Sequence, residues 1–247
     1  MPSPDAAPSD LVVFAAHPDD AELCCGGLLL NTVRSGRTTA IVDLTRGELG
    51  SLGTPEQRTK EAASAAQALR LTHRVNLNIP DGYVRDTDDN RTAVVRAIRQ
   101  LRPQLVIAPP LDDHHPDHMG TADLLRQSFY LCGIKNYLPA LPPHRPRALL
   151  HHMSTRPMNP QVVVDISEFI QERMDAVRCY KSQFGVKQDK DFPVRIASEK
   201  LLESIEATLK YFGSLIGVAY GEPYTSELPI PATDLLSLFD IEPWKDH

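Results

Sequence analysis

Two hydrophobic periods alternate along the chain. Short apolar, β-branched runs at residues 11–16 (LVVFAA), 38–44 (TTAIVDL), 75–79 (VNLNI) and 105–108 (LVIA) are bounded by turn residues and predict buried strands. Longer amphipathic stretches between them predict helices over residues 21–34, stopping at Ser35-Gly36, over 54–70, over 89–101, before Arg102-Pro103, and over 117–132. The second helix opens on Thr-Pro-Glu-Gln, in which Thr54 caps, Pro55 takes the first helical position and Gln57 reaches back. Strand and helix in this rhythm predict right-handed βαβ crossovers. The expected fold is α/β: a Rossmann-like, doubly wound, mostly parallel sheet with helices on both faces. The second half is less regular. Residues 148–151 and 162–166 read as strands and 167–181 and 199–212 as helices, and the Gly- and Pro-rich GSLIGVAYGEPYTSELPIP is expected to wrap the surface.

At 247 residues and 42% hydrophobic, the chain fits one large domain better than two small ones. Residues 1–10 (MPSPDAAPSD) read as a disordered lead, and 11–247 as a single domain with an irregular C-terminal segment. A formal charge of -6 offers no positive field for nucleic acid or an anionic membrane. No run approaches the roughly 20 apolar residues of a membrane span, and the N-terminus lacks the pattern of a signal peptide, so a cytoplasmic location is expected. Cys24, Cys25, Cys132 and Cys179 form no CxxC pair and read as reduced, structural thiols.

Chemistry concentrates at two strand ends. His17-Pro18-Asp19-Asp20 follows the first strand, and LDDHHPDH, residues 111–118, follows the fourth. First and fourth strands are commonly neighbours in doubly wound sheets, with a ligand crevice at their carboxyl ends, so the two clusters are expected to face each other. That places His17, Asp20 and His118 at one point, a set of two histidines and one carboxylate suited to zinc with a position left for water. Iron, cobalt or manganese fit the same donors. Attack on an amide also needs a base and a donor for the developing oxyanion or leaving amine. Asp19 is placed for the first task and His115 for the second, with Asp117 holding one of the histidines in its tautomer. Each acid alone is equally an N-cap or turn residue, and Glu22 is read that way. It is the pairing of two clusters at equivalent strand ends that favours metal-assisted hydrolysis.

At AHPDD and HPDH the sequence resembles the PIG-L/LmbE family of zinc-dependent N-acetylglucosaminyl deacetylases. DLTRGELGSLGTPEQRTKEA, GIKNYLPALPPHRP and VVVDISEFIQERMDAVRCYKSQF are similar to the branch that deacetylates N-acetylglucosaminyl L-malate in bacillithiol biosynthesis. The resemblance implies one zinc per chain on His17, Asp20 and His118, and Asp19 as general base. It implies His115 at the carbonyl or the leaving amine, with Asp117 behind it. It also implies a substrate contact from Arg58, whose guanidinium could fork onto a malate carboxylate, and a homo-oligomer, commonly a hexamer. Two positions depart from the branch. His114 stands where relatives often carry Arg, leaving a titratable group at the substrate rim, and Cys24-Cys25-Gly26-Gly27 reads as packing of the first helix. Competing readings are a deacetylase of another N-acetylglucosamine conjugate, inositol-linked or oligomeric, and a metal-dependent phosphoesterase. A non-catalytic nucleotide- or sugar-binding module is a further alternative. The missing G-x-G-x-x-G loop argues against a dinucleotide site, and the missing G-x-S-x-G elbow against a serine hydrolase.

Overall fold

The computed structural model describes residues 7–153, 156, 158–184 and 199–231. The apolar runs become β1 (Leu11–Ala15), β2 (Thr39–Asp43), β3 (His73–Asn76), β4 (Leu105–Ala108), β5 (Ala148–His151) and β6 (Val162–Asp165). Between them lie α1 (Asp20–Arg34), α2 (Pro55–Ala68), α3 (Asp88–Leu101) and α4 (Pro116–Leu131). After β6, a 3-10 turn at Ser167–Phe169 leads to α5 (Ile170–Arg178), α6 (Lys181–Phe184), α7 (Glu199–Leu215) and β7 (Gly221–Ser226). Among the described residues the strands form one sheet in the order β3-β2-β1-β4-β5-β7-β6. β1 to β5 pair in parallel, and β7 runs antiparallel to both of its neighbours. The doubly wound expectation is borne out, and β1 and β4 are neighbours.

The alternation of side chains along β1 builds two cores at once. Val12 and Phe14 pack with Val42, Val95, Ile98, Val106 and Leu125 on the α3 and α4 side. Leu11, Val13 and Ala15 pack with Leu29, Leu30, Ile41, Ile107 and Phe169 on the other. Burial of a side chain of this size contributes about 1.5–3 kcal/mol. Thr54 caps α2 as expected, its hydroxyl accepting the Gln57 N–H at 3.2 Å, but the Gln57 side chain turns toward Glu61 rather than back. β3 begins at His73, two residues before the expected run 75–79, because His73 and Arg74 already pair with Ala40 and Ile41, and it ends earlier than VNLNI suggests because Asn78 takes φ 54°, which breaks the extended run. Residues 1–6 of the expected disordered lead lie outside the described residues; Ser9 and Asp10 are tied to Leu101 and Thr38 by backbone bonds of 2.8 and 2.9 Å.

The larger correction is β7. Part of the segment expected to wrap the surface enters the sheet between β5 and β6, with Glu222 fully buried. A Glu-Pro pair argues against an interior strand. The carboxylate is accommodated because Arg173 of α5, itself fully buried, donates to it at 3.1 Å, while the Gly27 and Leu28 amides of α1 and the Tyr224 hydroxyl also donate to it. Arg173 further donates to the Leu23 carbonyl of α1. This junction explains the two glycines of CCGG. A Cβ on Gly27 would lie 2.5 Å from Ile166 Cγ2 and 3.0 Å from Glu222 Oε1, and one on Gly26 would lie 2.8 Å from Arg173 Cγ.

Candidate active site and metal centre

Both clusters sit where a strand turns into a helix, and local chemistry sets their shape. After β4, His115 is the N-cap of α4, Pro116 occupies the first turn and Asp117 supplies the acid favoured there. The His115 ring accepts the Asp117 N–H through Nδ1 at 3.2 Å. A backbone amide can only donate, so Nδ1 carries the lone pair and the neutral ring presents an Nε2–H donor. After β1, Asp19 is the N-cap of α1 with φ 117° and makes no capping bond through its side chain. A left-handed conformation is costly for an aspartate and recurs at functional sites.

The fold brings His17, Asp20 and His118 together. Asp20 Oδ2 lies 3.3 Å from His17 Nδ1 and 3.3 Å from His118 Nε2. Bonds of about 2.0–2.1 Å to a tetrahedral ion imply ligand-to-ligand edges of about 3.4 Å, so these atoms have the spacing of two such edges. His115 joins the same cluster, its ring centroid 4.6 Å from that of His17 and 4.8 Å from that of His118. The three imidazoles form one group able to hold a metal ion, and His17 with Asp81 and Asp117 forms another. The spacing favours the first side of the His17 ring for an ion and the second for orientation: Nε2 faces Asp81 Oδ1 at 3.2 Å and Asp117 Oδ2 at 3.4 Å.

The field agrees with a cation. Burial works against a charged His17, yet Asp117, Asp20 and Asp81 outweigh it and hold the ring well above its usual range. Burial likewise opposes charge on His118, which the Asp20 carboxylate nevertheless raises to about 9. Asp20 is buried too, but the two imidazoles hold it well below the usual carboxylate range. Carboxylates that draw protons onto two neighbouring imidazoles are equally suited to a divalent ion in the protons' place. Asp19 behaves differently: burial pushes its carboxyl up to about 7, with Arg58 pulling the other way. His115 is lowered by burial and by His17 and His118, which keeps it neutral.

Three placements differ from expectation. Arg58 is buried rather than facing an open rim; its Nη2 donates to Pro18 O at 2.6 Å and Asp19 Oδ2 at 2.9 Å. The anion that its guanidinium meets is the chain's own Asp19. The Asp117 carboxylate does not lie behind His115. It accepts the Gly82 and Val84 amides at 2.7 and 3.1 Å and faces His17, while only its backbone N–H serves His115. His114 is exposed beside Asp113, Nδ1 to Oδ1 3.0 Å. Glu22, read as a cap, is instead buried and receives Arg74 and the Tyr180 hydroxyl. Asp81 was not singled out by sequence reasoning, because Pro80-Asp81-Gly82 reads as an ordinary turn. Nor was Asp113 read as more than a turn residue, though it accepts the His115 N–H and approaches His118 Nδ1 at 3.5 Å.

Known proteins resemble this chain in sequence and fold. A conserved protein of Thermus thermophilus, its crystal structure solved, is 39% identical in sequence and superposes with a TM-score of 0.84 over 92% of this chain and 98% of its own. The family model described as GlcNAc-PI de-N-acetylase, PIG-L, matches residues 12–129, a span that contains both clusters. The chain belongs to the PIG-L family. Curated relatives of this PIG-L protein include the diacetylchitobiose deacetylase of Thermococcus kodakarensis, 26% identical over 83% of this chain and 78% of the relative. A probable N-acetyl-alpha-D-glucosaminyl L-malate deacetylase 2 of Bacillus anthracis is 28% identical over 72% of this chain and 82% of its own length. Among the described residues of the PIG-L chain, no helix is long and apolar enough to cross a membrane.

Proposed function

We propose that this chain is a zinc-dependent N-deacetylase that releases acetate from the N-acetylglucosamine unit of a glycoconjugate, with His17, Asp20 and His118 as the ligands. The observation that carries the reading is the 3.3 Å spacing of Asp20 from both imidazoles, with an imidazole donor, His115, packed against them and a buried carboxylate, Asp19, within the field of Asp20 and His17. Zinc bound there supplies a Lewis acid and lowers the pKa of its water to about 7. Asp19 takes the proton of the attacking water, a task matched to a carboxylate poised near neutrality. Arg58 fixes the orientation of that carboxylate. The Nε2–H of His115 donates to the oxygen of the acetyl group as negative charge develops on it. Asp81 and Asp117 hold the His17 ring in place, so that its Nδ1 keeps a lone pair for the ion.

The acetylated glucosamine unit is common to the named substrates of both curated relatives. N-acetylglucosaminyl L-malate, the substrate of the bacillithiol branch, is the finer reading. Its expected carboxylate partner, Arg58, faces Asp19 instead, so malate is one of three conjugates to compare. The test is free-amine release from the malate, chitobiose and inositol conjugates, with zinc-loaded and chelator-treated protein. Release from at least one, lost on chelation and restored by one equivalent of zinc, is the expected result. No release from any, or release unaffected by chelation, overturns the reading.

A second prediction concerns the support of His17. A Cβ on Gly120 would lie 2.1 Å from the Val84 carbonyl, so α4 and the loop at residues 81–84 need a glycine to approach as they do. Gly120→Ala is expected to push that loop off Asp117 and weaken zinc binding by about 10- to 100-fold, the usual range for lost orienting contacts. Competition against a chelator of known affinity measures it; unchanged affinity would detach Asp117 from the metal centre.

A further inference from the structure

Two imidazoles are assigned to the ion, and each has a second ring nitrogen that needs a partner. On His17 the fold supplies two, because Nε2 faces Asp81 and Asp117. On His118 the second nitrogen is Nδ1, a buried atom that makes no hydrogen bond among the described residues. Its Nε2 is the nitrogen turned to Asp20, at 3.3 Å, and an ion bound there takes the Nε2 lone pair. The neutral ring then carries its proton on Nδ1. A buried N–H without an acceptor is costly, so metal binding at Nε2 creates a demand for an acceptor on the opposite side of the ring.

Asp113 is placed to meet it. The residue is 3% exposed, and its two oxygens have separate tasks. Oδ1 accepts the His115 N–H at 2.9 Å, closing a turn onto the N-cap of α4, and lies 3.0 Å from His114 Nδ1. Oδ2 lies 3.5 Å from His118 Nδ1. An approach of about 0.5 Å brings that pair to the usual N–H···O distance. The backbone is held as well, since Arg156 reaches the Asp113 carbonyl at 3.5 Å and the Asp112 carboxylate at 3.3 Å. We infer that Asp113 is a positioning residue: through a hydrogen bond from Nδ1–H to its Oδ2 it fixes the proton of His118 on Nδ1, and so keeps the Nε2 lone pair for the ion. The inference rests on the reading of His118 as a metal ligand. One carboxylate then serves both histidines of HPDH, setting the ring of His118 and the main chain of His115.

Asp113→Asn distinguishes this role from that of a turn residue. Asparagine keeps the size of the side chain and can close the same turn through its carbonyl oxygen, but it then turns an amide N–H, a donor in place of an acceptor, toward His118 Nδ1. Asp113→Ser retains an acceptor for the His115 N–H and is too short to reach the ring. Zinc affinity, measured by competition against a chelator of known affinity, is expected to fall by about 10- to 100-fold in both variants. At saturating zinc, nitrogen–proton correlation spectra of the imidazoles are expected to show a His118 Nδ1–H proton that is downfield and protected from exchange in wild type. In Asp113→Asn it is expected upfield and exchanging faster. A residue that only closes the turn moves neither quantity, because both variants keep the turn. Zinc affinity within about twofold of wild type in either variant that folds, or a His118 Nδ1–H signal unmoved by Asp113→Asn, overturns the inference. If wild type takes up no zinc, the metal reading fails on its own, and spectra of the metal-free protein decide Asp113. The His118 Nδ1–H signal must then respond to Asp113→Asn in the same way, and an unmoved signal overturns the role.

Discussion

Asp19→Asn is expected to cut kcat by about 10²- to 10⁴-fold, the usual contribution of a positioned general base, while the protein still takes up one equivalent of zinc. Asparagine preserves the size of the side chain and can accept from Arg58, but it cannot take a proton. Asp19 has the burial, the left-handed backbone and the single strong partner of a group held for one task. Its neighbour Asp20 has both imidazoles within 3.3 Å and is occupied with them. The two adjacent carboxylates therefore separate into a base and a ligand by what surrounds each. Steady-state rates and zinc content measured on the same preparation check this. Turnover within about tenfold of wild type would remove Asp19 from the chemistry, and loss of zinc would recast it as part of the metal site.

Glu222→Leu is expected to destabilise the fold by about 3–5 kcal/mol, because it strands the Arg173 guanidinium without its counter-charge. Arg173 and Glu222 are both 0% exposed at their side chains. The substitution also leaves the Gly27 and Leu28 amides without the carboxylate that accepts them. The double variant Arg173→Met/Glu222→Leu should recover much of the loss, since an apolar pair of similar volume avoids the desolvation of both ions. Urea unfolding of the single and double variants separates these effects. A single-variant loss below about 1 kcal/mol would make the pair dispensable.

β1, β2, β4 and both clusters were legible because the parallel sheet is buried on both faces there, which writes those strands as mostly apolar runs, whereas β3, at the sheet edge, reads His-Arg-Val-Asn and shares only Val75 and Asn76 with the expected run. The clusters lie next to those runs in sequence, so locating β1 and β4 located His17, Asp20 and His118 as well. Arg58 was harder. Its position on α2 points to the right rim, but helix position alone does not reveal that Asp19 is the nearer anion. Asp81 was hidden in a turn whose composition has a sufficient structural explanation of its own. β7 was hidden because its central position is made tolerable by Arg173, about fifty residues earlier in the chain, and no local pattern carries that.

The place of β7 also bears on how the protein is made. β6 pairs with β7, and β7 pairs with β5, so the last strand among the described residues joins the one before it to the rest of the sheet. On the ribosome, a nascent chain that has reached α7 already carries both clusters, yet the outer edge of β5 is bare and Arg173 has no carboxylate to meet. Such an edge is a template for pairing with another chain, and the interval before residues 221–226 emerge is when a holding chaperone has most to protect.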